Sequence, residues 1–132
     1  MKWLLAIVFA LLSAACQQKT QDAAGGASRP VSVEVQLPAG ETVPQGSELS
    51  IRVVEVSGPD RAIVGSTSVA GFDKSGTFVV ECTGSRVRDT QSYGLEVAVV
   101  AGGKLIFRNA SPHYVLTRGN PDRATVPLTK VP

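Results

Sequence analysis

The chain has little of what enzymes and metal sites are built from: one histidine, two cysteines and 5% aromatic residues in 132. His113 has no second His or Cys at metal-ligand spacing, so it reads as a surface or edge-strand residue rather than a ligand or general base. No Gly-x-Ser-x-Gly motif occurs, since Gly65-Ser66-Thr67-Ser68 lacks the closing glycine and the strand-turn-helix setting of a reactive serine. Phosphate-cradling glycine loops are missing as well. Charge of one sign never runs: thirteen Lys and Arg, twelve once Lys2 is set aside, nearly balance eleven Asp and Glu. Nucleic acid therefore has no electrostatic footprint and is not expected as a partner. Neither a metal nor another cofactor is expected. Glu48, Glu55, Glu81 and Glu96 are scattered among strands and read as solvated faces or cross-strand partners of Arg52 and Arg108, with Glu55 and Asp89 the carboxylates to watch for acid–base work. No catalytic residue is assigned, and the chain is read as a non-enzyme.

What is present begins at the N-terminus. Lys2 precedes an uninterrupted apolar stretch from Trp3 to Leu12 and then Ser13-Ala14-Ala15-Cys16, the layout of a secretory signal and too short for a permanent membrane span. Cys16 directly after two alanines resembles the lipobox of bacterial lipoproteins, although Leu12 lies one place further from the cysteine than in that pattern. The resemblance implies cleavage before Cys16 and its acylation, with several chains giving firm anchoring. Gln17 stands where an Asp would favour inner-membrane retention, so the expected location is the periplasmic face of the outer membrane. Residues Gln17 to Arg29 are rich in Gln, Ala, Gly, Ser and Thr and cannot bury enough apolar surface to offset ordering, which makes them a flexible tether. The expected division is a signal peptide over 1–15, the lipidated cysteine and tether over 16–30, and one β-domain over 31–132.

From Val31 the pattern becomes short apolar runs of period two, punctuated by Gly, Pro, Asp and Asn every eight to twelve residues. Val31, Val33 and Val35 alternate with polar residues, as do Leu49, Ile51 and Val53. Ala62 to Val69 is thinner, as an edge strand would be. Thr77 to Cys82 follows, with Cys82 on the face of Phe78 and Val80, which predicts a buried free thiol. Tyr93, Leu95, Val97 and Val99 form the clearest face, and Gly102-Gly103 allows the positive backbone angles of a hairpin turn into Leu105–Arg108. His113–Leu116 and Ala124–Lys130 complete the set; Pro127 cannot donate to a ladder and predicts an edge or a bulge. About seven or eight short strands with no helical periodicity predict an all-β fold, a small antiparallel sandwich or a partly open barrel.

Three segments carry a family resemblance: Leu49-Ser-Ile-Arg-Val-Val-Glu-Val-Ser57, the Tyr93–Phe107 hairpin, and Tyr114-Val-Leu-Thr-Arg-Gly-Asn-Pro121. They are similar to the YbaY/YscW family of Gram-negative lipoproteins. The resemblance implies a compact β-sandwich on a lipid tether that binds a protein partner in the envelope. Some relatives act as pilotins, escorting a secretin or another outer-membrane protein as client. The alternative is an envelope-structural or glycan-binding module without a dedicated client. No residue of the sequence singles out the binding surface.

Overall fold

The computed structural model describes residues 27–132, so the signal, Cys16 and most of the tether lie outside the described residues. Eight strands follow: β1 (Ser28–Gln36), β2 (Glu48–Glu55), β3 (Ile63–Ala70), β4 (Gly76–Thr83), β5 (Tyr93–Ala101), β6 (Lys104–Asn109), β7 (Tyr114–Val115) and β8 (Arg123–Lys130). A single turn of 3-10 helix, Gly84–Arg86, sits between β4 and β5. The strand order β2-β3-β4-β1-β8-β6-β5 closes on itself through a β2–β5 pairing, which makes a seven-stranded barrel, and short β7 adds to β5. One sheet thus covers its own inner face, instead of two sheets covering each other.

The alternation read from the sequence is the inside–outside pattern of this barrel. Val31, Val33, Val35, Leu49, Ile51, Val53, Val80, Val99 and Val126 are all fully buried, and Tyr93, Leu95, Val97 and Phe107 join them in one core. Cys82 is buried and free, on the predicted face. Gly102 and Gly103 take φ of 58° and 78°, the two positive angles the tight hairpin turn needs.

Three details differ from the expectation. β1 and β8 run parallel, pairing Ser32–Gln36 with Arg123–Pro127, within an otherwise antiparallel barrel. β3 is not an edge: it pairs along its length with β2 and meets β4 at the single bridge Gly65–Cys82. A Cβ on Gly65 would lie 2.8 Å from Cys82 Sγ and 2.8 Å from the Glu81 carbonyl, so only glycine lets the strands touch there. Pro127 is neither at an edge nor in a bulge. It stands where β8 changes partner, from β1 up to Pro127 to β6 from Leu128 onward, and its carbonyl still accepts from Ala110 N at 3.3 Å. A missing donor costs little where one ladder ends and another begins.

A cleft on the outer face of the barrel

A cleft of about 700 Å³ lies over the outward faces of β2, β5 and β6. Strand register explains it as three rows of side chains. Val54, Gly94 and Tyr114 form an apolar row across β2, β5 and β7. Arg52 and Glu96 form the middle row. Ser50, Ala98, Arg108 and Thr129 form the third, across β2, β5, β6 and β8.

The middle row stops at Glu96 because β6 pairs with β5 only at Ala98–Ala101 and β7 only at Tyr93–Gly94. No strand residue stands opposite the stretch between. Asn109 fills that gap with its side chain: Val97 N donates to Oδ1 at 3.2 Å, and Nδ2 donates to the carbonyls of Leu95 at 3.2 Å and Ser111 at 3.0 Å. The ladder is thereby satisfied by an amide instead of a strand, and a hollow remains above it. Gly94 and Ala98 keep the floor low; a Cβ on Gly94 would already meet Val56 Cγ1 at 3.3 Å.

Electrostatically the cleft is unbalanced. Arg52 Nη2 donates to Glu96 Oε1 at 2.8 Å, and Arg61, reaching in from the β2–β3 loop, donates to Glu96 Oε2. Both oxygens of the one carboxylate are therefore taken. Arg108 also lines the cleft, yet its neighbours in register are Ala98 and Thr129, and among the described residues it has no ion pair. The expected cross-strand pairing of acidic residues is thus found for Arg52 but not for Arg108. On the opposite side Val54, Val56 and the half-exposed ring of Tyr114 form an apolar wall.

The other residues singled out from the sequence lie elsewhere. Glu55 borders a separate recess with Arg86, Arg88 and Gln91, and Asp89 is not among its lining residues, so the two carboxylates are not assembled into one site. His113 is half-buried, its Nε2 enclosed with no hydrogen-bond partner among the described residues, instead of lying on the surface. Burial pushes the Cys82 thiol up to about 11, the negative charge of Glu81 adds to this, and Arg29 opposes it. Such a thiol is a poor nucleophile at neutral pH. Among the described residues no three His, Cys, Asp or Glu side chains gather as a metal site.

The segment Tyr114–Pro121 is chiefly a built corner. The Thr117 N–H bonds back to the Val115 carbonyl at 2.9 Å across Leu116, whose φ is 77°, a strained γ-turn. Around it the Thr117 hydroxyl donates to the Gln91 carbonyl, Asn120 Nδ2 donates to the Thr117 carbonyl at 2.8 Å, and Leu116 N donates to the Pro121 carbonyl at 2.9 Å. Tyr93 secures the facing loop, its hydroxyl donating to the Arg86 carbonyl at 3.1 Å and accepting from Arg88 N at 2.8 Å. The residues that carry the family resemblance therefore hold the barrel end and set Tyr114 at the rim of the cleft.

Residues 27–128 match the family described as type III secretion system lipoprotein chaperone (YscW). The chain belongs to this family. A chaperone family suggests a role without catalysis. The fold is similar to that of an alternative pilotin from the type II secretion system of Vibrio cholerae, with a TM-score of 0.72 and 14% identity over 80% of this chain and 99% of that one. No curated protein matches the chain. Of the cleft residues, Arg61 was not picked out from the sequence, and Val56 and Tyr114 stood there only within the segments that carry the family resemblance. Outward positions can be read from alternation, but which strands stand side by side cannot.

Proposed function

We propose that this YscW-family chain is a lipid-anchored envelope chaperone that escorts a protein client to the outer membrane, as a pilotin does. The observation that carries the reading is the family match across the whole barrel, joined to a lipobox-like Ser13-Ala14-Ala15-Cys16. Acylated Cys16 would supply the membrane affinity, residues 17–27 the reach, and the barrel the client-binding surface. The outer-face cleft is the best candidate for that surface, because it joins an apolar wall to charged groups in one hollow. A glycan-binding module would call for exposed aromatics in line, and half-exposed Tyr114 is the one exposed aromatic among the described residues.

The test is to delete the gene and follow the envelope's secretins and other outer-membrane proteins by fractionation. One of them should stay in the inner membrane, and wild-type protein should restore it while Cys16→Ala should not. If every outer-membrane protein reaches its place without this chain, the escort reading falls.

A further inference from the structure

We infer that the cleft accepts an acidic side chain of the client polypeptide at Arg108, with an apolar residue about four positions away along an extended segment seated against Val54, Val56 and Tyr114; this rests on the chaperone reading above. The argument begins with charge. Three guanidinium groups line the cleft and one carboxylate answers them, with each of its oxygens already held by a different arginine. The remaining cation, Arg108, is flanked in register by Ala98 and Thr129, neither of which can pair with it. Its planar fork of donors matches a carboxylate.

Geometry adds the second half. The low floor at Gly94 and Ala98 lets a peptide backbone approach, and the apolar row at Gly94 lies four residues along β5 from the row of Arg108 at Ala98, about 13 Å at the rise of a strand. A bound extended segment would therefore meet a cation at one end of the hollow and an apolar wall at the other, which suits an acidic residue about four positions from a Leu or Phe. A phosphate-rich lipid surface is a poorer fit, because it is bound by clusters of roughly four to eight free basic residues, and Arg52 and Arg61 are engaged by Glu96. Glu96 acts in this arrangement as an internal competitor for the incoming carboxylate.

The full-length chain, in detergent, is screened against a phage-displayed library of random peptides, and the best binder is resynthesised with a fluorescent label. Enriched peptides should carry Asp or Glu about four positions from a large apolar residue. Replacing that acid by its amide should weaken binding about tenfold, the order expected of a charge-assisted bidentate contact. Arg108→Gln should erase this difference, Arg108→Lys should keep part of it, and Glu96→Gln should strengthen binding several-fold. Arg123→Gln, on β8 and outside the cleft, should change nothing. Enrichment without acidic residues, or affinity indifferent to Arg108, would overturn the inference. So would vesicles of phosphatidylglycerol binding through Arg108 while the peptides do not. The two readings fail separately: a client mislocalised by gene deletion but not by Arg108→Gln leaves the escort role standing without this contact. Acid-selective peptides with no mislocalised client leave the contact standing without the escort role.

Discussion

At the scale of single residues, Cys82 and Gly65 are one feature seen from two strands. The thiol occupies the space that a Gly65 Cβ would need, and the Glu81 carbonyl lies equally near. Gly65→Ala should therefore cost about 1–3 kcal/mol through overpacking, measured by urea unfolding. Adding Cys82→Ala should recover only part of it, because the backbone oxygen stays where it is. The thiol also makes a pH prediction. Its value in the folded chain is about 11 against an ordinary 9.0, so the unfolded chain loses its proton first as pH rises. This contribution to stability is intact below pH 9 and is lost as pH climbs toward 11. A Cys16→Ala protein, with Cys82 its only thiol, should show that alkaline decline and resist thiol reagents at pH 8 until unfolded. Replacing Cys82 by Ala as well should remove this part of the decline.

At the scale of elements, the join of β5, β6 and β7 decides where a partner surface can form. β6 and β7 share one flank of β5 without meeting, and Asn109 completes the ladder between them. Asn109→Ala leaves the Val97 N–H and the Leu95 carbonyl without their partners. A loss of about 2–3 kcal/mol is expected from two orphaned backbone groups, together with faster hydrogen exchange at Val97. Asn109→Asp should be no rescue, since it keeps the acceptor but turns a carboxylate toward the Leu95 and Ser111 carbonyls. A milder loss than Ala would show that the donor contacts carry little. The surface pair Arg52–Glu96 belongs to this same element, and being about half-exposed on the arginine side it should matter little to stability, roughly 0.2–1 kcal/mol. Its consequence is to leave Arg108 as the unmatched charge of the cleft.

At the scale of the whole molecule, the barrel is closed unevenly. β1 has neighbours along both flanks, β4 over Ser28–Val35 and β8 over Ser32–Gln36, whereas β3 and β4 meet at one bridge. The seam between β3 and β4 should open before any other part. Amides along it should exchange about tenfold or more faster than those of β1, the low end of local stability being where few ladder bonds must break. Uniform protection around the barrel would contradict this. The six strands of the barrel other than β3, their inward faces and the hairpin at Gly102-Gly103 were all legible from the chain alone, because period-two alternation and positive-φ turns are local properties written residue by residue. The same locality made Cys82 readable as buried, but it put Ala62–Val69 at an edge, where β3 instead pairs along its length with β2. What the tertiary structure decided was adjacency: a single sheet closing through β2 and β5, a parallel β1–β8 pair, Pro127 at the change of partner, and Arg52 and Arg61 on one carboxylate with Arg108 lining the same cleft. These depend on contacts between residues up to 91 apart in the chain, as between Glu34 and Thr125. Local pattern says which way a side chain faces; only closure of the barrel determines what it faces.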